Sequence, residues 1–327
     1  MIELIEGFPK QLREATQIGK NARLTAAITP ISNIVISGLG GSGIGGSIAA
    51  QLFEKESPVP IIVNNKYFLP AFVNRNTLAI ISSYSGNTEE TISCLKEALK
   101  KNAKIVCITS GGTIAEMARE HQLDLIEIPG GNPPRASLGY SLTQLIYTLG
   151  FYGIIDLSFE AKLNAAIELI TNEKQQIVVE AKAVAAKLLH KTPVIYSVAS
   201  SESIAIRFRQ QINENAKELC WHHVFPELNH NELVGWTTKN ENLAVVIFRN
   251  KTDFIRNQNR IEISKQVFAR YTSTIIELYS KGESNIEQAI FLIHLGDWIS
   301  YFLADLKGID AVEVKIIDHL KSELSKS

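Results

Sequence analysis

The sequence of 327 residues predicts an α/β fold in two halves, each a parallel-sheet αβα sandwich of doubly wound, flavodoxin-like character. Three observations carry this. Short, almost continuous runs of Val, Ile and Leu alternate with segments of helical periodicity, as buried parallel strands and their crossover helices do. A glycine-rich turn follows the first such run, in "NIVISGLGGSGIGGSIAAQLF" (33–53). The same succession of strand, small-residue turn and helix begins again in "TPVIYSVASSESIAIRFRQQINENAKE" (192–218).

The remaining elements follow in order. "PVPIIVNN" (58–65) is a short apolar run, and "TLAIISSYSG" (77–86) is a strand that enters a turn rich in hydroxyls. "TEETISCLKEALKK" (88–101) has helical periodicity; "AKIVCITS" (103–110), the helix-like "TIAEMAREHQ" (113–122) and "DLIEIPGG" (124–131) come next. From about 150 to 190 the pattern is mainly helical, in "LNAAIELI" and "QQIVVEAKAVAAKLLH". In the second half "NLAVVIFRN" (242–250) and "STIIELYS" (273–280) supply strands. "IEQAIFLIHLGDWISYFLADLKG" (286–308) reads as a long apolar helix and "EVKIIDHLKSEL" (313–324) as an amphipathic one. The boundary is expected near 150–160, giving domains 1–155 and 156–327 with no long linker.

Composition narrows the function classes. Apolar residues make up 45% and charged residues 20%, as in ordinary globular proteins. A net charge of −1 gives no electrostatic footprint for nucleic acid or an acidic membrane. Cys94, Cys107 and Cys220 lack metal-ligand spacing and fit a reducing compartment. The start, "MIELIEGFPKQLREA", lacks the apolar centre of a signal peptide, and no run of 18 apolar residues occurs. The expectation is a soluble, cytoplasmic protein with no metal, no nucleic acid and no membrane partner.

Two turns point to an anion. Gly38, Gly40 and Gly43 in "GLGGSGIGG" fit a dinucleotide fingerprint, but the second strand ends in Asn64 and Asn65, where an acidic ribose ligand is expected. The alternative takes this turn together with "SSYSGNTEET" (82–91). In a parallel sheet both turns lie beyond the carboxyl ends of strands, where ligands bind. Glycines there let backbone amides approach an anion, and helix N-termini add a favourable dipole. Gly41, Ser42, Ser83, Ser85 and Thr88 would then hold a phosphate monoester. The bland alternative, that Ser85 or Asn87 only caps the helix starting near Thr88, needs one side chain rather than four.

"GLGGSG" followed by "SSYSGNTEET" resembles the sugar isomerase (SIS) domain, which binds phosphosugars. With the double-domain layout, "GGNPPRASLGY" (130–140), "NENAKE" (213–218), "PELNHNE" (226–232) and "IDHLKSEL" (317–324) resemble the bifunctional phosphoglucose/phosphomannose isomerase family. The resemblance spans essentially the whole chain, "FPKQLREA" included. It implies two SIS domains, a phosphorylated hexose substrate, a homodimer with active sites at domain and subunit junctions, and no cofactor. Aldose and ketose phosphates would be interconverted by proton transfer through a cis-enediolate after ring opening.

Each task then has a candidate. A carboxylate can shuttle the proton between C2 and C1. Glu218 and Glu227 are rivals, and the resemblance favours Glu214 in "NENAKE". Arg135, behind two prolines in "NPPRAS", is implied to stabilise the enediolate charge. An imidazole can protonate a ring oxygen near neutral pH. His222 and His223 lie close by, and the family motif selects His230, implied to come from the neighbouring subunit. Lys321 in "IDHLK" is the implied ring-opening lysine, with Lys315 as its rival. One departure stands out. The family commonly carries a threonine shortly before this lysine, thought to admit mannose 6-phosphate beside glucose 6-phosphate. "GIDAVEVKIIDHLK" has none, and Val314 lies seven residues before Lys321. Two alternatives stand beside this reading: a non-catalytic phosphosugar-binding regulator, and an isomerase of another phosphosugar.

Overall fold

The computed structural model describes residues 1–324 and 326. Backbone contacts divide the chain into two compact units. The N-terminal unit is residues 6–171 with 284–287, and the C-terminal unit is residues 172–283 with 1–5 and 288–327.

The chain opens with α1 (Ile2–Glu6) and α2 (Phe8–Asn21). Five strands follow, β1 (Asn33–Ser37), β2 (Ile61–Asn64), β3 (Thr77–Ser82), β4 (Lys104–Thr109) and β5 (Asp124–Glu127). They form one parallel sheet in the order β2-β1-β3-β4-β5, the flavodoxin-like winding. The central strands are buried on both faces, and for that reason they read as unbroken Ile, Val and Ala. Crossover connections are α3 (Gly40–Leu52), α4 (Glu89–Lys100) and α5 (Gly112–Glu120). Val35, Ala79, Ile81, Ile105 and Cys107 point to the face covered by α4 and α5, where Cys94, Leu95, Ala98, Ile114 and Ala118 meet them. The unit continues through α6 (Leu138–Phe151) and α7 (Phe159–Asn172). Residues Leu138 to Gly150 of α6 are all buried, since α2 and α3 both pack on it.

The C-terminal unit begins with α8 (Lys174–Leu188) and β6 (Thr192–Val198). It runs through α9 (Glu202–Ala216), β7 (Trp221–Phe225), β8 (Leu243–Arg249), α10 (Ile255–Phe268) and β9 (Ile275–Tyr279). The sheet is again parallel, in the order β7-β6-β8-β9, the same winding with one strand fewer. Tyr196 of β6 stacks on Phe268 of α10 at 5.1 Å, and Phe208 of α9 meets Phe248 of β8 edge-on at 5.4 Å. β7 is a strand that the apolar pattern does not announce. It is an edge strand, so its Trp221, His222 and His223 need not be apolar.

The last two helices are α11 (Asn285–Leu306) and α12 (Lys315–Leu324). α11 is long and apolar enough to cross a membrane by composition, but 83% of its most apolar window is buried inside the fold. It is a core helix.

Candidate active site

In the N-terminal sheet the winding direction reverses between β1 and β3, and the carboxyl ends beside such a switch point are where parallel sheets bind ligands. The glycine-rich turn leaves β1 there and the hydroxyl turn leaves β3. Both lead into helix N-termini, those of α3 and α4, which together favour an anion.

Contacts join the candidates of this unit. Ser42 is buried, and its Oγ accepts the Tyr84 amide at 3.1 Å. Ser83 and Thr88 share a hydrogen bond between their hydroxyls at 2.9 Å. Thr88 flanks α4 yet makes no side-chain cap bond to it, so its hydroxyl belongs to the turn. Ser85 is exposed on the same turn and accepts the Asn87 amide at 3.3 Å. Asn87 does not cap α4 either: its Oδ1 accepts from the Thr113 amide at 3.0 Å and hydroxyl at 3.1 Å, in the first turn of α5. Gly86 closes the turn at φ +70°, and a Cβ there would sit 1.8 Å from the Gly111 carbonyl oxygen. No side chain fits that position.

Arg135 is buried in a 3-10 turn, Pro134–Ala136. This turn abuts the start of α3: a Cβ on Gly41 would lie 2.8 Å from the Pro134 carbonyl oxygen. Glycine at 41 therefore lets the helix end and the arginine loop touch. Gln11 of α2 fixes the far side of the loop, donating to the Ala136 carbonyl at 2.9 Å and accepting the Gly139 amide at 2.7 Å. Gly41, Ser42, Ser83, Thr88 and Arg135 thus belong to one connected cluster of loops.

In the C-terminal unit Glu214 sits half-buried in the last turn of α9. That helix is fastened to α11 by a polar ladder. Arg207 donates to both carboxylate oxygens of Asp297 at 3.1 and 3.0 Å, Gln211 adds a bond of 2.9 Å, and Asn215 donates to Ser300 at 2.9 Å. Burial pushes the Asp297 carboxyl upward while Arg207 and Gln211 pull against it. Lys217, left-handed at φ +50°, ends α9 and donates to the carbonyls of Glu214 at 2.8 Å and Asp310 at 2.9 Å.

The rivals have other partners. Glu218 pairs with Lys307 at 2.7 Å, and Glu227 accepts from Asn231 at 2.9 Å. His222 and His223 point to opposite faces of β7. His222 faces Glu202 at 3.6 Å, and burial, with Arg209 nearby, holds its pKa below the ordinary value. His223 accepts the Val224 amide at 2.8 Å through Nδ1 and meets Asn231 at 3.1 Å through Nε2. His230 is exposed at the end of the 3-10 turn Glu227–His230. Lys321 lies in α12, with Lys315 at its first position. Val314 accepts the amides of Ile317 and Asp318 at 2.8 and 3.1 Å and so starts that helix. Glu214, His230 and Lys321 are carried by three separate elements, the last turn of α9, a 3-10 turn and α12.

Sequence reasoning missed Tyr84 and Gln11. Tyr84 stood in plain view among the hydroxyls. Gln11 lies three residues after Phe8 and one before Leu12, on the apolar face of α2, and a glutamine on that face announces a buried hydrogen-bonding task.

A parallel sheet with glycine-rich and hydroxyl turns at its switch point, followed in the same chain by a second sheet of the same winding, defines a double-SIS protein. Residues 27–137 match the SIS domain family, and residues 177–324 match the bacterial phospho-glucose isomerase C-terminal SIS domain. The bifunctional phosphoglucose/phosphomannose isomerase of Caldicellulosiruptor bescii is 39% identical, over 100% of this chain and 99% of that protein. The protein of the same name from Aquifex aeolicus is 37% identical over 99% and 98%. The chain belongs to the bifunctional phosphoglucose/phosphomannose isomerase family. Solved structures agree in fold. The C-terminal domain of glucosamine-fructose-6-phosphate aminotransferase from Francisella tularensis superposes with a TM-score of 0.77 at 16% identity, over 96% of this chain and 98% of that one. Tagatose-6-phosphate ketose/aldose isomerase from Escherichia coli gives 0.69 at 14%, over 95% and 94%.

Proposed function

We propose that this protein is an aldose–ketose isomerase that interconverts glucose 6-phosphate and mannose 6-phosphate with fructose 6-phosphate. The observation that carries this reading is the connected cluster of Gly41, Ser42, Ser83, Thr88 and Arg135 beside the N-termini of α3 and α4, in a chain related to the named isomerases along its full length. Ser83, Ser85 and Thr88, with the amides near Gly41 and Ser42, hold the substrate phosphate. His230 and Lys321 assist ring opening. Glu214 takes the C2 proton and returns it to C1, and the Arg135 guanidinium stabilises the negative charge of the cis-enediolate. The reaction exchanges a proton and no hydride, so it asks for no nicotinamide. The active assembly in this reading is a homodimer.

A coupled assay following fructose 6-phosphate from each aldose phosphate tests it. The native chain is expected to turn over both, and Glu214→Gln to lose roughly 10³-fold in kcat, the middle of the range for a general base. Binding of both sugars without turnover would make the protein a phosphosugar-binding regulator instead.

A further inference from the structure

Arg135 sits at the end of a loop, "PGGNPP" (129–134), that contains two glycines, Gly131 at φ +91°, and three prolines. Such a segment takes its position from outside itself. At the strand side the Ile128 amide donates to the Thr109 carbonyl at 3.0 Å, and beyond Arg135 Gln11 holds Ala136. Between these two anchors the Asn132 amide donates to the hydroxyl of Tyr84 at 3.1 Å.

Tyr84 is engaged through all three of its polar groups. Its amide donates to Ser42 at the start of α3. Its carbonyl accepts the Ser110 amide at 3.0 Å and the Ser110 hydroxyl at 2.6 Å, from the loop after β4. Its phenol oxygen accepts from the arginine loop, and its ring is 8% exposed. One residue therefore ties the phosphate turn to the two flanking loops and to the loop of Arg135.

We propose that Tyr84 is a positioning residue for the isomerisation. Through Asn132 its hydroxyl holds Arg135 in register with the phosphate turn, so that the anion end and the reacting end of the sugar are held in one frame. The inference rests on Arg135 acting as the enediolate stabiliser. A phenylalanine would fill the same space but could not accept the Asn132 amide. The phosphate turn has main-chain bonds that do not involve this hydroxyl, Ser83 N to Ile108 O and Gly86 N to Ser83 O at 3.0 and 3.1 Å. The cost therefore falls on charge stabilisation in the transition state rather than on phosphate binding.

The test is Tyr84→Phe, alone and combined with Arg135→Ala, with thermal unfolding followed in parallel. Tyr84→Phe should lower kcat about tenfold, the size of one lost hydrogen bond, while KM for glucose 6-phosphate and inhibition by inorganic phosphate move less than about twofold. In the Arg135→Ala background the same change should cost less than about twofold, because the group it positions is gone. An unchanged kcat, a loss confined to KM, or losses that multiply in the double variant would overturn the proposal. A native chain inactive on both hexose phosphates would overturn the functional reading, and this inference with it.

Discussion

Asp124 shows what a single buried carboxylate does in this fold. It sits on the edge strand β5 and accepts from the amide and hydroxyl of Thr25 at 3.0 Å each, from Tyr152 at 3.0 Å, and pairs with Lys104 at 2.9 Å. It thereby pins the irregular segment after α2 to the sheet. Burial alone would raise its pKa, but the bonds from Lys104 and Thr25 outweigh this and hold it below the ordinary value. Its stabilising contribution is therefore complete above the unfolded value of about 4 and is lost as pH falls through the folded one. Asp124→Asn should cost about 2 kcal/mol at pH 7 and flatten the acid limb of stability below about pH 4, measured by urea unfolding across pH. At this scale the sequence was informative where a residue type has few uses. Ser83 and Thr88 stood out because four hydroxyls exceed what a cap needs, and the two do share a hydrogen bond in the turn rather than cap α4. Glu214 could be separated from Glu218 and Glu227 only by motif, since all three are ordinary glutamates until their partners are known.

The buried strands were legible, while α6, buried from Leu138 to Gly150, was not announced by its sequence. β1 and β3, which flank the switch point, and β4 beside them are buried on both faces and read as continuous apolar runs. β7 was hidden because an edge strand tolerates histidines, and the same residues drew attention as rivals of His230 instead. α12 was read correctly as amphipathic, and all of its residues remain solvent-accessible, including Ile316 and Leu320. It is opened at its first turn, where the Val314 carbonyl receives two amides. Threonine there would add a hydroxyl to almost the same volume. Val314→Thr is expected to raise kcat/KM for mannose 6-phosphate relative to glucose 6-phosphate by several-fold, roughly 1 kcal/mol of transition-state discrimination. Parallel assays of the two sugars check it, and an unchanged ratio would detach this position from epimer choice.

For the whole molecule the two-sheet plan was readable from its repeat, while the homodimer belongs to the proposed function, because one chain carries no record of a symmetry mate. If His230 serves the partner's substrate, two dead variants should rescue each other. Mixing Glu214→Gln with His230→Ala under subunit exchange should restore roughly a quarter of native activity. Half the dimers are then mixed, and each of these has one intact site. Variants that stay dead after exchange would place both residues in the same subunit's site.

The two sheets share a winding but not a strand count. β5 is the strand the second sheet lacks, and it delivers the loop of Arg135; after β9, the last strand of the second sheet, the chain passes into α11. Point mutation can remove an arginine, but giving the second half a matching loop would take the insertion of a whole strand. In the proposed function, the division of labour between the halves is thus written in architecture rather than in side chains. It should outlast long stretches of ordinary sequence drift.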